Sequence, residues 1–237
     1  MASERVPTGI AGFDKLVEGG FVKGSTNLIA GGTGSGKSIF CMSFIYNGAS
    51  KFDEPGLYIS FEETAQSLKE DAKVIGMDFD KLEKAKKAKI IFMTPYSTTD
   101  LQATLTEEIE KSKAKRIVID SASVLAMSLD GDYRVRKQLY FLASTLQKLG
   151  CTSILVSEIV GEAPIDISSS TRDGSFSRSG VEEFVADSVI TLHNSGLGGE
   201  GDRAVRVVKM RRTAHVKGPI PFEISKEGIK ILKTKGY

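Results

Sequence analysis

Cysteine and long apolar runs are the scarcest features of this chain of 237 residues. Cysteine occurs twice, as Cys41 and Cys151, each within an apolar stretch, which predicts buried thiols rather than a disulfide or a metal site. No apolar run approaches the roughly 18 residues of a membrane span, so we expect no membrane contact. No apolar segment follows the N-terminus, so we expect no signal peptide. Together these features predict a cytoplasmic protein.

The composition otherwise fits a globular domain, with 41% hydrophobic and 26% charged residues. We expect one domain over 1–237, in which a short segment, 1–25, leads into the core. The net charge of +2 hides an asymmetry, because residues 203–237 hold ten Lys/Arg and two Asp/Glu and so carry +8, which leaves −6 for the rest. A basic segment on an acidic body predicts contact with phosphates, either of nucleic acid or of a nucleotide on a neighbouring subunit.

The strongest motif is a glycine-dense stretch, LIAGGTGSGKSIF, at 28–40. Gly31, Gly36, Lys37 and Ser38 have the P-loop spacing G-x-x-x-x-G-K-[ST]. Glycines let backbone N–H groups approach a phosphate, and the N–H groups that open the next helix face the same anion. Lys37 is then expected at the β- and γ-phosphates, and the Ser38 hydroxyl on Mg²⁺. The alternative is a glycine-rich turn, but a readable strand precedes the motif and a helix follows it.

Strands and helices alternate up to residue 157, and hairpins follow. This pattern predicts an α/β fold with a mostly parallel central sheet, helices on both faces and a C-terminal antiparallel hairpin extension. In such a sheet, ligands bind at the carboxyl ends of the strands. The strands are expected at 26–30, 57–61, 90–93, 116–120, 152–157, 189–194, 203–210, 220–225 and 229–232. The helices are expected at 13–17, 37–51, 64–75, part of 79–89, 99–113 and 133–149.

Acidic residues stand at the ends of two of these strands. Asp120 closes the apolar strand RIVID, as a Walker-B acid does, and would hold Mg²⁺ through water or accept from Ser38. Glu62 and Glu63 follow the strand LYISF, where one of them is a candidate to activate the attacking water. The alternatives are an acid that caps a turn and two solvated loop acids. The lysines of 79–89 are interpreted as a solvated face.

Cations stand at the end of the long C-terminal strand. Alternation places Lys209 and Arg211 on one face, where they are candidates to neutralise a γ-phosphate in trans, in the manner of an arginine finger. The alternative is a basic surface strand. The stretch 158–180 is polar and has no periodicity, and a loop this long in a compact domain is usually functional.

Six segments, in this order, resemble the KaiC family of RecA-superfamily ATPases: TGIAGFDKLVEGGFVKGS, GGTGSGKS, YISFEET, VIDS, GVEEFVADSVITL and KMRRTAHVKGPIPFEI. The resemblance covers nearly the whole chain. The chain is similar to the single-domain members of the family that occur in archaea. It implies a RecA-like P-loop NTPase fold, magnesium-dependent ATP hydrolysis and a homohexameric ring with ATP between subunits, acting as a regulatory switch. At Glu182, Glu183 and Phe184 no hydroxyl stands where the clock protein's second domain is phosphorylated, which favours hydrolysis over autokinase activity.

The resemblance also assigns roles to residues. Glu62 and Glu63 match the catalytic acids, with Lys37 and Arg211 completing the catalytic set. Ser38 and Asp120 match the metal site. The phosphate-binding positions are Gly31, Thr33, Gly34, Ser35, Gly36, Lys37, Ser38 and Ile39. The positions that reach the nucleotide from the neighbouring subunit are Lys209, Met210, Arg211, Thr213 and His215. Ser225 and Lys226 fall at further nucleotide-binding positions, and Val74 falls near the base pocket.

Two other functions stay open at this point. A recombinase-like ATPase would bind DNA through 158–180 and 194–202, although Phe176 is the sole aromatic residue there for stacking on bases. A nucleotide-binding scaffold would bind ATP without turnover. The 158–180 loop is also a candidate contact for a protein partner.

Overall fold

The computed structural model describes residues 3–94, 98–127, 129, 131–159, 176–196, 198–199 and 202–232. Its strands are β1 (Arg5–Val6), β2 (Phe21–Val22), β3 (Thr26–Gly31), β4 (Gly56–Ser60), β5 (Ala88–Phe92), β6 (Arg116–Asp120), β7 (Thr152–Glu158), β8 (Ser188–Asn194), β9 (Arg203–Met210), β10 (Pro219–Ser225) and β11 (Gly228–Ile231). Its helices are α1 (Phe13–Leu16), α2 (Lys37–Lys51), α3 (Ala65–Val74), α4 (Phe79–Lys84), α5 (Thr98–Ser112), α6 (Ala122–Met127), α7 (Asp132–Lys148) and α8 (Glu182–Val185).

A nine-stranded sheet has the order β11-β10-β9-β8-β3-β7-β6-β4-β5. The strands from β8 to β5 are mutually parallel, whereas β9, β10 and β11 add antiparallel pairs at one edge. This arrangement confirms the predicted mostly parallel sheet with a C-terminal antiparallel extension. The separate pair of β1 and β2 was not predicted, because two-residue strands are too short to show a periodicity.

The central strand β3 is buried along its whole length, because it lies between β7 and β8 and helices cover both faces of the sheet. Alternate residues of β3 therefore enter two different cores. Ile29 packs with Phe40 and Phe44 of α2, whereas Leu28 packs in the cluster that contains Leu139 and other residues of α7. This central position fixes where the loop after β3 emerges.

Local sequence signals explain several helix ends. The Thr64 side chain accepts a hydrogen bond from the Ser67 N–H at 3.2 Å, which confirms it as the N-cap of α3. The helix stops one residue short of Ile75, and Gly76 follows with φ of 77°. Helices α6 and α8 were not predicted, since six and four residues are too few to show an amphipathic stripe.

The state of the two cysteines and the length of the helices bear on the expectations from the composition. Cys41 and Cys151 are both buried free thiols, as predicted. Within the described ranges, no helix combines the length and apolarity needed to cross a membrane. Most of the predicted loop at 158–180 lies outside the described residues, which resume at Phe176.

Candidate active site

The loop between β3 and α2 forms a tight cradle at the carboxyl end of the sheet. Gly34 and Gly36 adopt φ of 71° and 97°, in the left-handed region that favours glycine. A Cβ on Gly31 would lie 2.5 Å from both Ser35 Oγ and the Leu192 carbonyl oxygen. The loop can therefore fold this closely only because these positions lack side chains.

Hydrogen-bond donors line this cradle. Ser35 Oγ is buried and has no hydrogen-bond partner within the part of the chain that the structure describes. Gly36 precedes the 15-residue helix α2 and has no side chain with which to cap its first N–H groups. Lys37 Nζ donates to the carbonyl oxygens of Gly31 at 3.0 Å and Gly32 at 2.9 Å, so its ammonium group lies over the loop. Such a set of donors fits a phosphate group.

Asp120 and Ser38 meet beside the cradle. Asp120 ends β6, and its Oδ2 accepts a hydrogen bond from Ser38 Oγ at 3.4 Å. Burial raises the pKa of Asp120 to about 6, the hydrogen bond from Tyr58 opposes this shift, and the charge of Glu62 adds to it. A buried carboxylate beside a hydroxyl fits Mg²⁺, which takes one or two carboxylates together with substrate phosphates. Among the described residues, no cluster of three or more His, Cys, Asp or Glu side chains offers a separate metal site.

Tyr58 is a site residue that sequence reasoning missed. Its side chain is fully buried in β4, and its hydroxyl donates a short hydrogen bond to Asp120 Oδ2. Burial, with the neighbouring Asp120 charge, raises the pKa of Tyr58 well above its usual range. The available signal was a tyrosine inside an otherwise apolar strand, because a buried tyrosine hydroxyl usually has a hydrogen-bond partner.

Glu62 and Glu63 diverge at the turn after β4. Ser60 Oγ accepts from both of their N–H groups, at 3.3 and 3.0 Å, and so shapes this turn. Glu62 Oε1 accepts a short hydrogen bond from Ser121, the residue after Asp120. Glu63 Oε2 instead accepts from Ser67 of α3 at 3.2 Å. Both glutamates are exposed, and Glu62 is the one that turns towards the end of β6.

Lys209 and Arg211 lie near the amino ends of the parallel strands, opposite the cradle. We call these two ends of the strands the amino edge and the carboxyl edge of the sheet. Because β9 runs antiparallel to β8, Lys209 pairs with Val189 near the start of β8. Gly31, which begins the cradle, is level with Leu192 of β8, and Leu192 in turn pairs with Val205 of β9. Four residues of strand, about 13 Å, separate the levels of Val205 and Lys209. The two cations therefore lie at the opposite end of the strands from the cradle of their own chain.

The structure places Lys209 within β9 and Arg211 just beyond its end. Strand β9 ends at Met210, and Arg211 lies in a turn, with NH1 3.5 Å from Asp187 Oδ1. Lys209 Nζ donates to the carbonyl oxygens of Glu183 at 3.1 Å and Ala186 at 2.8 Å, which ties it to α8. Burial lowers the pKa of Lys209, and the charge of Arg211 lowers it further.

The other residues assigned to this segment differ in accessibility. Met210 is buried in the core and pairs with Ser188 of β8. Thr213 Oγ1 accepts from Arg5 NH1 at 2.7 Å, and His215 Nδ1 lies 2.9 Å from the Val216 carbonyl oxygen. The segment after β9 thus presents Arg211, more than half exposed, close to the strand end.

A buried network anchors α8 beneath this basic segment. Glu182 is fully buried and accepts from Ser157 Oγ at 3.2 Å, from Ser179 Oγ and from the Val181 N–H at 3.2 Å. Ser157 also lies 3.2 Å from Ser123 Oγ. The end of β7, the start of α6 and α8 are therefore held together.

The β10–β11 turn lies beside the cradle of its own chain. Ile224 Cδ1 would be 3.1 Å from a Cβ on Gly36, and the Lys226 carbonyl oxygen 3.2 Å from a Cβ on Gly76. Ser225 and Lys226 therefore stand on the cradle side of the sheet, and Val74, close before Gly76, is 75% exposed. Within the P-loop, Thr33 and Gly34 are both exposed.

Asn194 and Arg203 also contact the P-loop and were not assigned to it from sequence. The Gly34 carbonyl oxygen accepts from Asn194 Nδ2 at 3.4 Å and, in a short hydrogen bond, from Arg203 NH1. These residues end β8 and begin β9, so the first hairpin of the antiparallel extension braces the cradle.

A glycine cradle after the central strand, with an acid at the end of a nearby parallel strand, defines a P-loop NTPase of the RecA-like class. A family model described as "ATPase: KaiC" matches residues 6–236. The chain belongs to the KaiC family.

Solved and curated relatives agree with this assignment. A KaiC-like protein from the hyperthermophilic archaeon Pyrococcus horikoshii OT3, known from its crystal structure, is 37% identical, with a TM-score of 0.84 over 98% of this chain and 100% of that one. The circadian clock oscillator proteins KaiC of Parasynechococcus marenigrum and Synechococcus elongatus are 33% and 34% identical over 98% and 97% of this chain. The chain spans 45% and 44% of their lengths.

Proposed function

We propose that this chain is an ATPase of one KaiC-like domain that hydrolyses Mg²⁺·ATP at subunit interfaces of a homohexameric ring and serves as a regulatory switch. One observation carries the proposal: the phosphate cradle lies at the carboxyl edge of the sheet, whereas Lys209 and Arg211 lie at the amino edge. A single chain cannot bring these two sets together, but a head-to-tail ring can.

The cradle residues would bind and orient the triphosphate. Donors of the loop and the first turn of α2, with Lys37, would hold the phosphates, while Ser38 and Asp120 would hold Mg²⁺. The metal ion, when bound, polarises the phosphoryl oxygens and neutralises developing charge. Ile39, Thr33, Ser225 and Lys226 would complete the contacts on the cradle side, as the family resemblance assigns them.

Glu62 is the better placed of the two candidate bases. Its carboxylate is held by the Ser121 hydroxyl beside Asp120, whereas Glu63 is directed to the first turn of α3. A general base must lie within hydrogen-bond reach of the attacking water, so the glutamate nearer to the metal site is favoured. Glu63 would then orient the start of α3.

The segment after β9 would complete the site of the neighbouring subunit. Arg211 is exposed and bound only weakly to Asp187 across 3.5 Å, so it can exchange that partner for a phosphate. Lys209, held by α8, would fix the direction of the segment, and Thr213, His215 and the Met210 backbone would add contacts. A recombinase-like role depends on 158–180 and 194–202, whose central residues lie outside the described part of the chain.

Mixed assemblies test the shared site. Glu62→Ala and Arg211→Ala proteins should each release little phosphate from ATP, and a mixture that has exchanged subunits should regain activity. In a random one-to-one ring, about a quarter of the interfaces pair an intact Glu62 with an intact Arg211. No recovery in rings proven to be mixed would refute trans completion.

Two measurements complete this test. Binding of ATP without any phosphate release by the unmodified protein would identify a scaffold rather than an ATPase. Molecular mass in solution, measured with and without ATP, reports the ring directly.

A further inference from the structure

A second concave region opens at the amino ends of β4 and β5, at the edge of the sheet opposite the P-loop. Its volume is about 660 Å³, within the range of small-molecule sites. Gly56 and Ala88, the first residues of β4 and β5, form part of its wall. We call this region the lysine pocket, after the six side chains that line it: Lys69, Lys86, Lys87, Lys89, Lys111 and Lys113.

The lysine pocket concentrates positive charge. Two carboxylates, Glu83 and Glu108, line it against the six lysines, which leaves a local charge of +4, although the whole chain carries +2. The lysines come from α3, the α4–β5 connection, β5, the end of α5 and the residue that follows it. Separate segments therefore converge on one cavity, which a solvated face on a single helix would not do.

Ion pairs leave part of this charge unmatched. Lys69 pairs with Glu83 at 2.5 Å and Lys89 with Glu108 at 2.6 Å, both at the cavity wall. Lys87 and Lys111 pair with carboxylates outside it, at 2.8 and 2.6 Å. Throughout the described residues, Lys86 and Lys113 form no ion pair within 4 Å. Surface pairs stabilise weakly, so an incoming anion can displace them.

The two unmatched lysines stand on unusual backbone. Lys86 and Lys113 have φ of 56° and 52°, just beyond α4 and α5, where glycine is the low-energy residue. The negative end of each helix favours a cation at these positions, by about 0.3–1 kcal/mol. This preference explains a lysine at each helix end, but it does not explain why both border the same cavity.

We propose that the lysine pocket binds a small anion with at least two phosphate groups. Ammonium groups act as point charges on phosphate oxygens, and several around one cavity favour a compact polyanion over a single carboxylate. The site is independent of the P-loop and does not rest on the ATPase proposal, because the two lie at opposite edges of the sheet.

Lysine footprinting tests this proposal on the full chain. Amine acylation is followed by mass spectrometry in the presence of inorganic tripolyphosphate or of fructose 1,6-bisphosphate, and the probe that protects at the lower concentration identifies an inorganic chain or an organic bisphosphate as the better ligand. We expect either probe to slow acylation of Lys86 and Lys113 but not of Lys15 and Lys148, which lie in the last turns of α1 and α7. The Lys37→Ala protein should show the same protection, because the P-loop is not involved.

A double variant then measures affinity. Lys86→Gly with Lys113→Gly removes two charges and relaxes two left-handed residues, so the protein should unfold at the same or a higher temperature. Its dissociation constant for the protecting probe should rise by about tenfold, whereas Lys15→Ala with Lys148→Ala should leave it unchanged. Equal protection of all four lysines, or unchanged affinity in the glycine variant, would overturn the proposal.

Discussion

The carboxyl and amino edges of the central sheet, where the parallel strands end and begin, differ in the sign of the charges that gather there. At the carboxyl edge, the glycine-rich P-loop leads into the N-terminus of α2, Asp120 ends β6, and Glu62 lies in the turn after β4. At the amino edge, helices end and strands begin, and two groups of cations lie there: Lys209 and Arg211 on one side and the lysine pocket, which also contains two glutamates, on the other. Helix dipoles have the matching signs, because N-termini attract anions and C-termini attract cations.

Under the proposed function, this separation would leave the site of a single chain incomplete. A parallel sheet places all carboxyl ends on one side, so a cradle and its acids meet without help from another chain. The antiparallel strand β9 carries its last residues to the opposite side. In the proposed ring, these cations would act on the γ-phosphate of a second copy. Substitutions at the two edges should therefore affect nucleotide binding and turnover differently.

The largest effect is expected at the carboxyl edge, from Lys37→Ala. Lys37 Nζ lies over the loop, and its removal takes an ammonium group out of a cradle made mainly of backbone donors. Binding of a fluorescent ATP analogue should weaken by about a hundredfold or more, and phosphate release should be lost. Lys51→Ala, in the last turn of the same helix, is the matched control and should bind normally. Normal binding by Lys37→Ala would mean that this loop is not the nucleotide cradle.

At the amino edge, Arg211→Ala should reduce turnover and spare binding. A charge that acts on the transferring phosphoryl group is worth about 10³-fold or more in rate, but it adds little to ground-state affinity. The kcat for ATP should therefore fall by that order while the analogue binds within a few-fold of normal. Arg212→Ala, one residue on in the same turn, is the control. Equal losses in both variants would indicate damage to the turn rather than loss of a specific group.

Much of this contrast could be predicted from local sequence. The P-loop and the bounds of α2 follow from glycine spacing and an apolar helix, and Asp120 follows from the apolar strand that it ends. The parallel sheet and its hairpin extension follow from the order of strands and helices. The signals for the P-loop, α2 and Asp120 each lie within one segment of about a dozen residues, and the order of elements is built from such segments.

Features that join distant segments could not be predicted. Tyr58 and Asp120 meet because β4 and β6 are neighbours, an order that neither strand encodes alone. The lysines of 79–89 were interpreted as a solvated face, yet Lys86 and Lys87 share a cavity with lysines of α3 and α5. Arg203 reaches Gly34 only because the antiparallel hairpin folds back beside the cradle.

The acid at the carboxyl edge should lower the stability of the free protein. The pKa of Asp120 rises from 3.8 to about 6 on folding, because burial disfavours the charged form. Stability is therefore unaffected below the unfolded pKa and falls as the pH rises through the interval from about 4 to about 6. Asp120→Asn lacks this charge, so without nucleotide its free energy of unfolding at pH ~8 should exceed that of the parent by about 1–3 kcal/mol.

Denaturant unfolding at two pH values measures this difference. The two proteins should converge near pH ~4, where the carboxyl is protonated. Arg211→Ala, at the exposed amino edge, should change stability little at either pH. A parent protein as stable as Asp120→Asn at both pH values would show that burial does not penalise this carboxylate.

The smallest expected effect, and the one that sharpens the comparison most, comes from Tyr58→Phe. The substitution keeps the buried ring in β4 and removes only the hydroxyl that holds Asp120 Oδ2. Ser38 Oγ, at 3.4 Å, is then the remaining side-chain hydroxyl on that oxygen among the described residues, so the carboxylate is less well oriented for Mg²⁺. The Mg²⁺ concentration that gives half-maximal phosphate release should rise by about three- to tenfold, while binding of the metal-free nucleotide stays constant. Tyr46→Phe, on a half-buried ring of α2, controls for the loss of a tyrosine hydroxyl as such. A uniform fall in kcat at every Mg²⁺ concentration would instead assign Tyr58 to the packing of β4, and the carboxyl edge would then owe its metal site to Ser38 and Asp120 alone.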